Sequence, residues 1–146
     1  MTVRLELVTQ ENVRAVCALE LKPGQEKHVA PNAISLAQAY VSERAWPRAI
    51  LSDDELVGFV MVALPTDDDP VWYLWRLMVA ADQQGKGYGG AAVRAVMEEA
   101  RSQGATELFV SWVPPDEGGP ERFYLDLGFE PTGEVHGGEI EGKAAL

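Results

Sequence analysis

The chain has 146 residues, of which 47% are apolar and 24% charged, and its mean hydropathy is −0.10. This length and composition are typical of one soluble globular domain, and we expect a single domain over residues 1–146. Twelve basic residues stand against 23 acidic ones, which gives a net charge of −11. That charge disfavours nucleic acids and anionic membranes as partners, because both are negative, and it favours cationic small molecules.

The apolar runs and the single cysteine exclude further classes. Runs such as 60–64 are far shorter than the roughly 20 residues of a membrane-spanning helix. The first ten residues lack the apolar core and cleavage site of a signal peptide, which predicts a cytoplasmic protein. Cys17 has no intramolecular disulfide partner and fits no metal-ligand spacing. We therefore expect it to be buried in a helix, and we expect no metal.

The first third of the chain predicts one strand and two helices. Alternating apolar and charged residues over Thr2–Val8 indicate a half-buried strand. Thr9 is placed to cap a first helix, and a second helix is predicted over Asn32–Val41. The expected apolar positions are Val13, Val16 and Cys17 in the first helix and Ile34, Ala37 and Tyr40 in the second.

The middle of the chain predicts a hairpin followed by a central strand. Arg48–Leu51 and Leu56–Leu64 flank a polar turn, which is typical of two paired strands. After the loop Pro65–Pro70, the aromatic and branched residues of Val71–Val79 indicate a long central strand.

The last part of the chain predicts two helices and three strands. The longest helical pattern covers 87–102 and ends at Gly104. Its apolar positions recur at helical spacing and are Val93, Val96, Met97 and Ala100. The remaining predicted elements are a strand at Thr106–Val113, a helix at Glu121–Leu127, and strands at Phe129–Val135 and Glu139–Ala144. This order predicts an α/β domain with one mixed sheet covered by helices.

A glycine-rich segment between the fourth predicted strand and the long helix carries the clearest chemical signal. Gly85, Gly87 and Gly89 alternate there and lack Cβ atoms, so backbone N–H groups can approach a ligand closely. The helix start adds unpaired N–H donors and the positive end of its dipole, which suits a phosphate or pyrophosphate. Lys86 adds a positive charge. The same glycines would also serve a tight turn.

Two other phosphate-binding motifs do not fit this segment. A Walker loop requires Gly-Lys-Ser/Thr, and Lys86 is followed by Gly87. A dinucleotide fold places its glycines after the first strand of a repeated βαβ unit. Here the glycines follow the fourth strand, and one clear βαβ unit is present.

Two segments together resemble a known family. One is Gln84-Gly85-Lys86-Gly87-Tyr88-Gly89, and the other is Phe123-Tyr124-Leu125-Asp126-Leu127-Gly128-Phe129. They resemble the acyl-CoA signature and the aromatic-tyrosine element of the GNAT superfamily of N-acetyltransferases. The resemblance covers essentially the whole chain. It implies a central mixed sheet of six to seven strands flanked by about four helices, with the fourth and fifth strands splayed apart.

The resemblance also implies roles for particular residues. Acetyl-CoA would be the co-substrate, and Tyr124 would be the general acid that protonates the departing CoA thiolate. The alternative for Tyr124 is core packing. Backbone groups of Leu77, Met78 and Val79 would contact the pantetheine arm, and an N–H near Met78 would polarise the thioester carbonyl. The pyrophosphate would be held by Gln84, Gly85, Lys86, Gly87, Tyr88 and Gly89.

The acceptor side is less defined by the sequence. At pH 7 only about one alkyl amine in 2,500 is neutral, so a base or a water chain is needed. Relatives often place a glutamate on the fourth strand, and residues 71–76 contain none. Glu20 and Glu26 are candidate bases, with a solvated surface as the alternative. Glu117 stands where relatives often have an asparagine that contacts CoA.

Aromatic and basic side chains near the fourth strand have two interpretations. Trp46, Trp72 and Trp75 could line an amine pocket through cation–π contacts, although core packing is expected. Arg76 could reach an acidic partner or the substrate, and we expect a structural ion pair. His28 and His136 are expected at the surface.

Three functional hypotheses remain open. The leading one is acetyl transfer to the primary amine of a small molecule. Residues 30–40 and 75–78 resemble the bacterial spermine/spermidine acetyltransferase branch, which favours a polyamine. The others are acetylation of a protein N-terminus or lysine, and a non-catalytic acyl-CoA-binding sensor. A homodimer is compatible with the resemblance.

Overall fold

Seven strands form one mixed sheet in the computed structural model, which describes residues 2–146. The strands are β1 (Val3–Leu7), β2 (Ala45–Ser52), β3 (Glu55–Ala63), β4 (Trp72–Val79), β5 (Glu107–Trp112), β6 (Glu130–His136) and β7 (Glu139–Ala145). Their spatial order is β1-β2-β3-β4-β5-β7-β6, and β4 is the middle strand. The neighbouring strands are antiparallel except β4 and β5, which are parallel. The predicted mixed sheet and central strand are confirmed.

Helices cover both faces of this sheet. In the described part of the chain they are α1 (Val13–Ala18), α2 (Asn32–Val41), α3 (Tyr88–Ser102) and α4 (Glu121–Asp126). Three short 3-10 turns lie at Gln25–Lys27, Ala81–Gln83 and Pro115–Glu117. No helix within residues 2–146 has the length and apolar character that crossing a membrane requires.

Two clusters of apolar side chains hold the layers together. On one face, α3 and α4 pack against the sheet, and Val93, Val96 and Ala100 are fully buried there, as their spacing predicted. On the other face, Val16 of α1 packs with Phe59 and Met61 of β3. Since β3 is covered on both faces, residues 57–63 are all buried and read as a continuous apolar run rather than an alternating one.

The pairing between β4 and β5 is short, and this opens the sheet. Only Trp72–Leu74 pairs with Leu108–Val110, after which the two strands separate. In β4 the pairing register against β3 shifts between Met61 and Val62, so that Trp75 is an extra residue. Such a bulge bends a strand and redirects side chains. The predicted splaying of the fourth and fifth strands is thus present, and it leaves a gap beside the second half of β4.

Three local predictions in the first third of the chain are wrong. Thr9 does not cap α1, because the helix begins at Val13 and the side chain of Asn12 accepts the Thr9 N–H at 2.7 Å. Cys17 is exposed, since Val16 is the buried residue of this six-residue helix. In α2, Ile34 and Tyr40 are 51% and 91% exposed.

The buried face of α2 combines two polar residues with two apolar ones instead. Asn32 and Ser35 are buried, while Leu36 and Ala39 pack against the cluster on that face of the sheet. The Asn32 amide donates to the Val16 carbonyl at 2.9 Å, which satisfies a polar group that burial would otherwise penalise. These four residues follow helical spacing as well as the predicted set does, so periodicity alone could not choose between the two faces.

Candidate active site

A cavity of about 1080 Å³ lies at the gap between β4 and β5. Ligand pockets in proteins have volumes of a few hundred to about 1,000 Å³, so this cavity is large enough for an extended cofactor and a second molecule. The second half of β4, the end of β5, the glycine-rich segment, α4 and the β6–β7 turn all contribute to its lining. Residues far apart in sequence therefore meet around one space.

The glycine side of the cavity, Gln84–Gly90, has the backbone geometry of an anion site. Gly85 and Gly87 have φ angles of +79° and +86°, which side chains other than glycine rarely adopt. Gly87 is the N-cap of α3, and the first turn of this 15-residue helix holds no acidic residue. Its first N–H groups have no partner inside the helix and carry the positive end of the dipole toward the cavity.

Packing also favours a glycine at position 89. A Cβ atom placed on Gly89 would lie 3.3 Å from the ring of Phe123 and 3.6 Å from Val79. The absence of a side chain therefore lets α3 approach α4 and the end of β4. Gly89 and Tyr88 both line the cavity, and Tyr88 also packs partly against the core.

The polar side chains of the glycine-rich segment make local hydrogen bonds. Gln84 donates to the Val79 carbonyl at 2.9 Å and to the side chain of Gln25 at 2.8 Å. This ties the segment to the end of β4 and to the turn before α2. Lys86 is exposed, donates to Gln83 at 3.2 Å and is absent from the cavity lining.

The backbone of β4 divides its polar groups between β3 and the gap. The Ala80 N–H bonds to the Val57 carbonyl at 2.9 Å, and the Met78 carbonyl lies close to Gly58. Since backbone groups alternate in direction along a strand, those of Met78 face β3 and those of Leu77 and Val79 face the gap. No strand pairs with β4 there, because β5 is paired only as far as Val110.

Tyr124 of α4 is packed among three aromatic rings beside the cavity. Its ring stacks on Trp112 at 5.4 Å and meets Phe123 and Phe129 edge-on at 5.0 and 5.6 Å. The residue is 8% exposed and lines the cavity. Burial, together with the nearby Tyr73 and Glu139, raises the pKa of Tyr124 above its ordinary value. Its phenol is thus protonated throughout the neutral range. Core packing and a place at the cavity are therefore compatible for this residue.

A second group of residues forms what we call the polar side of the cavity: Tyr73, Trp75, Arg76 and Glu139. Arg76 does not form the expected ion pair. It donates to the amide oxygen of Gln38 at 3.0 Å and to the Trp75 carbonyl at 3.4 Å. Its guanidinium lies 5.3 Å from the Trp75 ring centroid. Burial lowers the pKa of Arg76 and raises that of Tyr73.

Tyr73 and Glu139 were not singled out from the sequence. Tyr73 lies in a strand pattern that any buried aromatic would fit, and Glu139 follows a glycine turn late in the chain. Only the order of strands, which inserts β7 between β5 and β6, brings Glu139 to the same cavity as β4. A polar residue next to a tight turn is the only signal the sequence offers.

The other candidates are distributed around this site. Glu26 is exposed and lines the cavity, whereas Glu20 lines a smaller adjacent pocket. Glu117 is exposed and outside the lining. His28 is half-buried and His136 exposed, and both line the cavity, so the surface prediction for His28 is only partly right. The tryptophans differ: Trp72 is buried in the core, Trp46 packs against it beneath Arg48, and Trp75 lines the cavity.

Comparison with known proteins assigns the family. Residues 10–129 match the family model described as the Acetyltransferase (GNAT) family. The chain therefore belongs to the GNAT family of acetyltransferases. It is 36% identical over 87 residues to N-acetyltransferase 8F1 of Rattus norvegicus, a match that covers 57% of this chain and 38% of that protein. The chain thus spans less than half the length of this curated relative.

Solved structures share the fold. The PaiA N-acetyltransferase of Thermoplasma acidophilum, solved in complex with coenzyme A, has a TM-score of 0.71 at 13% identity over 100% of both chains. A chimeric spermidine N-acetyltransferase from Vibrio cholerae and hSSAT has a TM-score of 0.72 at 12% identity, covering 98% of this chain and 94% of that one. At such identities the likeness shows the fold alone. Residues 2–146 contain no cluster of three or more metal-ligating side chains.

Proposed function

We propose that this protein is an acetyl-CoA-dependent N-acetyltransferase that acetylates the primary amine of a small molecule. One observation carries the proposal: the glycine side, the free backbone edge of β4 and Tyr124 all line a single cavity. Membership of the GNAT family and the fold shared with a protein solved with coenzyme A support it.

Acetyl-CoA fits the donor groups of this cavity. Its pyrophosphate would accept hydrogen bonds from the backbone N–H groups of Gly85–Gly89, where α3 adds its dipole. Its pantetheine amides would pair with the backbone of Leu77 and with the Val79 N–H, since the Val79 carbonyl already accepts a hydrogen bond from Gln84. The N–H of Leu77 or Val79, rather than that of Met78, would stabilise the oxyanion that forms from the thioester carbonyl. We propose that Lys86 does not contact acetyl-CoA directly and contributes only to the local positive field.

The reaction exchanges one bond for another. The neutral amine attacks the thioester carbonyl carbon, a C–N bond forms, and the C–S bond then breaks. We propose that the Tyr124 phenol donates its proton to the departing sulfur, and that the proton lost by the attacking nitrogen then converts the tyrosinate back to the phenol. Because burial raises the pKa of Tyr124, the phenol stays protonated and its proton is available to the departing sulfur.

The acceptor must also lose a proton before it can attack. For an amine with a pKa near 10.4, this costs about 4–5 kcal/mol at pH 7. We propose Glu139 as the proton acceptor, directly or through water, because it lines the cavity and its charge acts on both Tyr73 and Tyr124. Glu26, at the rim of the same cavity, is the second candidate.

Polyamines are the acceptors that the sequence favoured. The net charge of −11, the two acidic side chains of the cavity and the fold shared with a spermidine N-acetyltransferase chimera support this choice. Arg76, also in the lining, would repel a purely cationic acceptor. The acceptor panel must therefore include amines with and without a negative group.

The first experiment is a thiol-release assay with acetyl-CoA against polyamines, diamines, amino acids, aminoglycosides and peptides, with acetyl-CoA binding measured in parallel. Turnover on a small amine supports the proposal. Turnover on peptides alone would indicate a protein N-acetyltransferase instead. Binding of acetyl-CoA without turnover on any acceptor would favour a sensor. The absence of both binding and turnover would overturn the proposal.

A further inference from the structure

Arg76 is a cation without a counter-ion at the polar side of the cavity. Its residue is half-buried, and no carboxylate of residues 2–146 lies within 4.0 Å of its guanidinium. Arginine stays protonated in proteins, so a full positive charge is partly withdrawn from water here. Partly buried charges are normally paired, which makes this position a candidate for a ligand anion.

The bulge in β4 explains why Arg76 lies where it does. In a regular strand Trp75 and Arg76 would lie on opposite faces, but the register shift at Trp75 places both on the face that α1 and α2 cover. Trp75 packs with the cluster on that face, and Arg76 reaches Gln38 of α2. Both side chains line the cavity.

The guanidinium is oriented but not saturated. Gln38 accepts one N–H, and the Trp75 carbonyl accepts a second over a longer distance. A guanidinium has five N–H donors in a planar fork, so donors remain for a bidentate contact with a carboxylate. The Trp75 ring centroid lies 5.3 Å from the guanidinium carbon, and this cation–π contact helps to hold the group in place, which lowers the entropic cost of binding an anion.

An acidic side chain faces the same space. Glu139 lines the cavity, and its charge acts on Arg76 over a distance too long for an ion pair. A positive site for an anion and a negative site for an ammonium therefore lie near each other in the cavity that Tyr124 also lines. A ligand that carries both charges would complement both groups at once.

We infer that the acceptor amine also carries a carboxylate, as an amino acid does, with the carboxylate bound by Arg76 and the amino group directed to Glu139. This inference rests on the proposed acetyltransferase function and narrows its acceptor class. A diamine or polyamine would leave Arg76 unpaired, and a second cationic group would meet its repulsion.

Matched acceptor pairs that differ only by the carboxylate test this assignment. Suitable pairs are lysine with cadaverine and ornithine with putrescine. The quantities are kcat/KM by thiol release, and Kd in the presence of CoA by tryptophan fluorescence or calorimetry. For the wild-type protein we expect the acid of each pair to be favoured by about 10-fold or more, because charge-assisted hydrogen bonds have that magnitude.

Two variants locate the preference. Arg76→Gln should bring the acid-to-amine ratio close to one. Arg14→Gln, which removes the same charge from an exposed position outside the cavity, should leave the ratio unchanged. Three results would overturn the inference. The first is an acid-to-amine ratio of one or below in the wild-type protein, and the second is a ratio that Arg76→Gln does not change. The third is that none of the four compounds binds.

The same data separate this inference from the proposed function. Acetylation without preference for the acid, or with preference for the polyamine, overturns the inference and supports the transferase. Binding that is selective for the acid, abolished by Arg76→Gln and not followed by acetyl transfer, supports the ligand class and contradicts the transferase.

Discussion

The two sides of the cavity are built in different ways. The glycine side consists of consecutive residues, Gln84–Gly90, and its donors are backbone N–H groups at the start of α3. The polar side brings together side chains of two distant strands, Tyr73, Trp75 and Arg76 on β4 and Glu139 on β7. Gln38 of α2, outside the lining, holds Arg76 in place. The first depends on local conformation, whereas the second depends on the strand order and on a bulge.

This difference has a functional consequence. A phosphate site made of backbone groups needs only glycines at the right φ angles, so it can be kept while the rest of the chain varies. An acceptor site made of converging side chains changes with single residues. We therefore expect substitutions on the glycine side to affect acetyl-CoA binding and those on the polar side to affect the choice of acceptor.

The largest effect is expected on the glycine side. Gly87→Val should abolish acetyl-CoA binding, because a branched side chain cannot adopt φ +86° without strain and would disturb the N–H groups at the helix start. Gly104→Val is the matched control, since Gly104 has φ +88° at the other end of α3. Both variants should lose similar unfolding free energy in urea. Equal acetyl-CoA affinity in a calorimetric titration of the two would refute the phosphate-site assignment.

Tyr124→Phe should separate chemistry from binding. We expect kcat to fall on the order of 100-fold, the lower range for loss of a general acid, while the Kd for acetyl-CoA changes less than about twofold. The ring and its stacking on Trp112 are retained, so folding should be preserved. Tyr40→Phe, at a 91% exposed position, removes a hydroxyl far from this role and controls for the substitution type. Unchanged turnover would remove Tyr124 from the mechanism.

Gly142 of β7 tests how the walls of the cavity are held. A Cβ atom on Gly142 would come within 2.4 Å of the Trp112 ring, which stacks on Tyr124. Gly142→Ala should cost about 1–3 kcal/mol of unfolding free energy through overpacking, and should lower turnover by displacing Tyr124. Adding Trp112→Phe should recover part of the loss, because the smaller ring lacks the atoms that clash. If the losses from Gly142→Ala and Trp112→Phe simply add in the double variant, the contact between Gly142 and Trp112 does not position Tyr124.

The smallest effect concerns alkaline stability. Burial raises the pKa of Tyr124 in the folded protein above the unfolded value of about 10, so the folded state holds its proton more tightly. The resulting stability is complete below pH 10 and is lost as the pH rises toward the folded pKa. At pH 11 the wild type should have lost on the order of 1 kcal/mol relative to Tyr124→Phe, compared with their difference at pH 8. The measurement is the urea midpoint of both proteins at each pH. An equal difference between the two midpoints at pH 8 and pH 11 would contradict the raised pKa of Tyr124.

Much of this architecture was predictable from the sequence. The strands and helices appear in the predicted order, and α3 buries the face that Val93, Val96 and Ala100 define. The glycine-rich segment was predicted at the start of α3 because its residues are consecutive and its conformation is local. The two faces of α2 were not distinguishable, since the predicted apolar stripe and the buried stripe of mixed polar and apolar residues have the same period.

The sequence by itself therefore determined the elements, their assembly into one mixed sheet and the glycine-rich segment Gly85–Gly89 that we propose binds the pyrophosphate. The tertiary structure alone decided the polar side of the cavity. The bulge at Trp75 places Arg76 beside Gln38, and the position of β7 next to β5 brings Glu139 to β4. The physical reason is that backbone geometry follows from neighbouring residues, whereas convergence of charged side chains follows from strand order and packing, which act between residues far apart in the chain.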